Sequence, residues 1–114
     1  MSELELARVE AVFREVNEAI ARTAERYNEK AAEFVCECGD PDCAERVVVP
    51  LNAYEEVRAD GARFIVADGH EIDEVERVLR KLPEYTVVLK IGKSLAAAVK
   101  RLNPRRPPQV QPSE

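Results

Sequence analysis

Apolar residues recur at three- and four-residue steps through the first thirty positions. Leu6, Val9, Phe13, Val16, Ile20, Thr23, Tyr27 and Lys30 form the series, and Glu, Arg, Asn and Lys fill the positions opposite. That period belongs to one helix over residues 2–32, with its apolar stripe turned to the core. Ser2 followed by Glu5 matches a capping box at its start. Neither Gly nor Pro interrupts the chain before Gly39. The helix so predicted exceeds the usual ~11–12 residues. Its surplus surface is therefore offered to a protein partner or to a second copy of the chain.

Short strand-like runs bounded by turn residues then follow. Residues 33–38 read as a strand leading into a turn. Residues 44–49, rich in β-branched side chains, read as the returning strand, ended by Pro50. Asn52 with Glu55 signals a cap, and residues 53–59 a short helix closed by Asp60-Gly61. Residues 63–67 form a further strand, after which Asp68-Gly69 turns the chain at His70. Val75, Val78, Leu79 and Leu82 fit a helix as well as a strand. The short connection Leu82-Pro83-Glu84 and the clear strand at 85–91 favour a β-hairpin. Ser94 caps a last helix, 95–102. Residues 103–114, with Pro107, Pro108 and Pro112, have nothing to bury and are expected to be disordered.

These elements predict an α+β fold: a long N-terminal helix on a small antiparallel β-sheet, a zinc-knuckle-like β-hairpin and short helices. At 114 residues the chain suits one domain, set at 1–102. That size buries only a modest core, which a metal staple would support.

Composition matters most in one place. All three cysteines fall within Cys36-Glu37-Cys38-Gly39-Asp40-Pro41-Asp42-Cys43, and the only histidine is His70. In extended chain, residues i and i+2 share a face, so Cys36 and Cys38 can converge. Gly39 to Asp42 is a turn by composition and folds Cys43 back beside them. His70 is the one imidazole available to complete a tetrahedral Cys3His zinc site. The C-x-C-x4-C spacing differs from the common C-x2-C, and other readings stand beside the metal: buried thiols, a Cys38–Cys43 disulfide, or an aspartate or water as fourth ligand.

The chain resembles a family of small, uncharacterised bacterial proteins of the GC-rich Gram-positive type. The resemblance rests on F-x-C-E-C at Phe34 to Cys38, D-P-D-C at Asp40 to Cys43, Y-E-x-V-R-A at Tyr54 to Ala59 and G-H-E at Gly69 to Glu71. It covers about residues 10 to 91. It implies no activity, but it pairs the cysteine cluster with the G-H-E segment.

Several chemistries lack their signatures. There is no H-x-E with C-x-x-C, no H-E-x-x-H, no Gly-rich phosphate loop and no G-x-S-x-G. A Cys–His dyad is formally available, but three clustered thiols suit ligation better than one activated nucleophile. Tyr54, Arg58 and Tyr85 read as half-buried packing residues. These points argue against an enzyme and against a small-molecule substrate.

The net charge is −5, and it is uneven. Lys90, Lys93, Lys100, Arg101, Arg105 and Arg106 make a basic C-terminal end on an otherwise acidic chain. An acidic body is unsuited to general nucleic-acid binding. No apolar run approaches a membrane span, and the N-terminus has no signal-peptide pattern, so a cytoplasmic location is expected. The function this implies is a zinc-stabilised interaction, adaptor or regulatory module. A thiol-based redox or metal sensor is one alternative, and an RNA-associated protein acting through the basic end is another. Exposure of the sulfurs separates structure from sensing.

Overall fold

The computed structural model describes residues 2–105. The order of elements is α1 (Glu3–Arg26), β1 (Ala31–Val35), β2 (Arg46–Pro50), α2 (Leu51–Arg58), β3 (Arg63–Val66), β4 (Glu76–Lys81), β5 (Thr86–Lys90) and α3 (Lys93–Arg101). β1 and β2 form an antiparallel ribbon in which Phe34 faces Val47. β3, β5 and β4 form a second antiparallel sheet with β5 in the centre. The fold is α+β, as the pattern predicts. The segment that fitted helix and strand equally is a strand, β4, paired with β5.

The β3–β5 pair is buried on both faces. Side chains alternate along a strand, so Phe64, Val66 and Val88 turn one way and Ile65 and Val87 the other. The first group packs with Ala7 of α1, with Leu95 and Val99 of α3, and with Cys36 and Cys38. The second packs with Tyr54 and Val57 of α2 and with Phe34, Val47 and Val49 of the ribbon. β4 is an edge strand, mostly exposed and carrying Arg77, Arg80 and Lys81. Charged side chains of this kind discourage edge-to-edge pairing.

α1 begins as expected. Glu5 N donates to Ser2 Oγ (3.1 Å) and Ser2 N to Glu5 Oε1 (3.2 Å). It stops earlier than residue 32. Asn28 takes a left-handed φ of 58°. Glu29 N then donates to Ala24 O and Asn28 N to Glu25 O, which closes the last turn as a Schellman motif. Asn is one of the few non-glycine residues that tolerate this conformation.

The larger correction concerns which face of α1 is buried. The buried residues are Ala7, Glu10, Arg14, Asn17, Glu18, Ala21 and Ala24. The apolar stripe lies beside them, half-buried to exposed: Val16 is 43% exposed and Tyr27 70%. Alanines let the helix approach the sheets closely, and the polar residues between them meet buried partners. Arg14 donates to Gly61 O and Val99 O, both at 2.8 Å. Its guanidinium stands 4.7 Å over the Phe64 ring.

Two predicted caps also differ. α2 starts at Leu51 after Pro50, so Asn52 sits inside the first turn, where its Oδ1 accepts from Ala53 N. α3 starts at Lys93 after Gly92.

The basic C-terminal end is partly consumed by the fold. Lys90 is buried and pairs with Glu10 and Glu76. Arg105, placed by sequence in the tail, bonds Glu18 and, at 2.7 and 2.8 Å, Glu55. The rest of the predicted tail, 106–114, lies outside the described residues.

The Lys90 triad carries a pH signature. Burial pushes the Glu10 carboxyl up to about 8, against the pull of Lys90 and with the push of Glu76. Folded Glu10 therefore keeps a proton that the unfolded chain loses near its ordinary value of 4.5. Its contribution to stability is fully present below that ordinary value and is lost as pH rises through the folded value. Denaturant melts at pH 6 and pH 9 should show the wild type weakening toward pH 9, and Glu10→Gln weakening less. Subtracting variant from wild type cancels effects common to both. Equal slopes for the two proteins would remove Glu10 as the cause.

Candidate metal centre

Three short segments build the centre. The first is the chain leaving β1. Cys36 and Cys38 turn toward the Phe64–Val66 cluster, while Glu37 between them turns the other way, toward Asn17 and Arg58, and all three are buried. Cys36 N donates to Glu45 O and Glu37 N to Ile65 O, so this stretch is clamped on both edges. The second segment is the turn. Asp42 N donates to Asp40 Oδ1 and Cys43 N to Asp40 O. Gly39 lies close to α1: a Cβ would fall 1.8 Å from Leu6 Cδ1, and that side chain would have to swing aside. The third is the turn after β3. Gly69 has φ 81°, and His70 N donates to Ala67 O.

Together they bring Cys36, Cys38, Cys43 and His70 into one cluster. One ligand atom from each lies within 4.8 Å of all the others. His70 Nδ1 stands 3.5 Å from Cys36 Sγ and 3.6 Å from Cys43 Sγ. A tetrahedral zinc ion with Zn–S bonds of about 2.3 Å and a Zn–N bond of about 2.0–2.1 Å would hold such atoms about 3.6 Å apart. The four residues singled out in the sequence are the four that meet, and their donor set can hold a metal ion.

Backbone amides reinforce that chemistry. Ala67 N donates to Cys36 Sγ at 3.1 Å. The amide of Cys38 also faces Cys36, that of Asp40 faces Cys38, and that of Glu45 faces Cys43. Each sulfur thus meets an amide two residues on. Hydrogen bonds of this kind favour the thiolate, the form that ligates metal.

The thiols are not equivalent. All three are free of disulfide bonds. Cys36 is raised, first by its hydrogen bond with Cys38 and then by burial. Cys38 is pulled down to about 5, chiefly by that same bond. Burial raises Cys43.

Cys36 and Cys38 are buried, at 1% and 4% exposure. Cys43 and His70 are half-buried. A cleft of about 250 Å³, lined by Cys38, Gly39, Asp40, Gly69, His70 and Ile72, opens beside them.

Sequence reasoning missed what stands behind the ligands. Glu37 is fully buried. Its Oε2 accepts from Asn17 Nδ2 at 2.7 Å and from Arg58 Nη2, and its Oε1 from Ile65 N at 3.0 Å. Asn17 also pairs with both backbone groups of Val35. Arg58 continues to Arg63 O and to the Tyr54 hydroxyl, which donates to Glu18. Tyr54, Arg58 and Tyr85 are thus buried rather than half-buried. The signal in the sequence was the alternation in C-E-C itself. If the cysteines face the metal, the glutamate must face away and find a cation.

Compared with models of protein families, with curated proteins and with solved structures, the chain matches none. Among the described residues, no helix is long and apolar enough to cross a membrane.

Proposed function

We propose that the domain is a non-enzymatic, zinc-stabilised interaction module of the cytoplasm, with adaptor or regulatory work as its role. The observation that carries the zinc reading is the convergence of three sulfurs and one imidazole nitrogen within 4.8 Å. Three thiolates and an imidazole suit zinc's tetrahedral preference and its ligand softness. Four protein ligands leave no open coordination position, which suits structure rather than catalysis. The metal would tie β1, the turn and the post-β3 segment together, adding to the backbone bonds that already join Glu37 to Ile65 and Cys36 to Glu45. Burial of Cys36 and Cys38 supports this role over the sensor reading. The cleft beside Cys38 and His70 is the feature that favours a sensor, since an oxidant could reach the thiolates there. Burial of Lys90 and the pairing of Arg105 with Glu18 and Glu55 weaken the case for RNA.

Cobalt titration of the reduced, metal-free protein tests the site. Co2+ should saturate at one equivalent with the strong visible bands of a tetrahedral, thiolate-rich centre, and Zn2+ should bleach them. His70→Ala should still bind, more weakly and with shifted bands, because water can take the vacant position. A pale octahedral spectrum, or no saturation, would defeat the assignment.

A further inference from the structure

The face of α1 left uncovered by the fold has a form of its own. Val9, Val16 and Thr23 run along its centre, with Leu6, Phe13 and Ile20 on the flank toward the body. The steps from Leu6 through Ile20 to Tyr27 alternate between three and four, the spacing of a coiled-coil seam. On the solvent flank, Val12 is 59% exposed, and Ala19 is exposed too. Two grooves follow the seam. One, of about 600 Å³, runs between Val16 and Ile20 of α1, Tyr27 just past its end, and Ala31 and Ala32 of β1. The other, of about 210 Å³, lies between Val9, Phe13 and Pro41 of the metal-centre turn.

In the heptad set by the seam, the position on the solvent flank holds Glu5 near the start of the helix and Arg26 at its end, with exposed Arg8 and Glu15 in the next row outward. Glu5 and Arg26 lie on the same flank, about 30 Å apart at 1.5 Å per residue. Between them that flank carries Val12 and Ala19, one larger and one small.

We infer that this face is a homodimer interface in which α1 packs antiparallel on α1 of a second copy. A two-fold axis across the middle of the helix sets Glu5 of one chain against Arg26 of the other, twice. The same axis lays Val12 over the space left by Ala19. A C2 interface must be self-complementary in this way. A parallel pair would stack Glu5 near Glu5 and Arg26 near Arg26, with no gain from either. Four polar residues of α1, Glu10, Arg14, Asn17 and Glu18, are inside the fold, Arg8, Glu15 and Arg22 face water, and the apolar residues of the seam have the period to meet a helix. The inference rests on the interaction-module reading and names its partner. It also joins the interface to the metal centre, because Pro41 of the turn walls one groove.

Sedimentation equilibrium across micromolar to submillimolar concentration tests it, with zinc content measured on the same samples. The wild type should reach twice the 12.8 kDa chain mass. Val16→Glu should be a folded monomer, since a carboxylate in the seam weakens the dimer about a hundredfold or more. Val12→Glu, at a still more exposed position, should do the same and covers the case in which Val16→Glu fails to fold. Arg26→Glu should weaken the dimer, and adding Glu5→Arg should restore it. A monomeric wild type, a dimer that survives in both folded Glu variants, or a charge swap without rescue would each overturn the arrangement. A zinc-loaded monomer defeats the dimer alone, and a metal-free dimer defeats the zinc reading alone.

Discussion

A strong chelator lowers the melting temperature of the zinc-loaded protein by about 10–20 °C or more, and added zinc restores it. A structural zinc is bound only by the folded chain, so its binding free energy is folding free energy. Small domains hold only ~5–15 kcal/mol in all, and each kcal/mol shifts the midpoint of a domain this size by about 4–8 °C. The loss of even a few kcal/mol is therefore large. Cys43→Ser should act like the chelator, because it cuts the link across the turn. His70→Ala should cost less. Acid should release the metal as the thiolates and imidazole regain protons. If the cysteines merely packed, Cys43→Ser would cost a small burial term and the chelator would change nothing.

Arg58→Ala should cost about 3–5 kcal/mol, a large part of the total stability. Arg58 is 3% exposed and answers the buried carboxylate of Glu37. Removing one partner of such a pair strands the other charge away from water. The Tyr54 hydroxyl and the Arg63 carbonyl lose a donor as well. Because Glu37 stands between Cys36 and Cys38, the variant should also bind zinc less tightly. Glu37→Gln with Arg58→Met should lose less than the two single changes summed, since it removes both charges. Denaturant melts with a cost below about 1 kcal/mol, the level of an exposed pair, would show that Glu37 does not depend on Arg58.

The strands were legible because short runs of β-branched and aromatic residues are bounded by turn residues at β1, β2, β3 and β5. The metal cluster was legible because rare side chains were concentrated in one turn and at one histidine. The buried face of α1 was not. Hydrophobicity ranks Val9 and Val16 above Glu10 and Asn17, but burial followed the partners: Lys90 for Glu10, and Glu37 with the Val35 backbone for Asn17. Those partners lie far along the chain, where no local window sees them. The end of α1 was missed for a related reason. Asn28 closes the helix through a left-handed turn that glycine usually signals. Lys90 and Arg105 looked like a solvated basic end because charge alone does not tell which cations the core recruits.

Zinc X-ray absorption on protein purified without added metal tests the central claim most directly. The account predicts one zinc per chain, with three sulfurs at about 2.3 Å and one nitrogen at about 2.0–2.1 Å. Protein without zinc, or zinc in a shell of oxygen ligands, would contradict it.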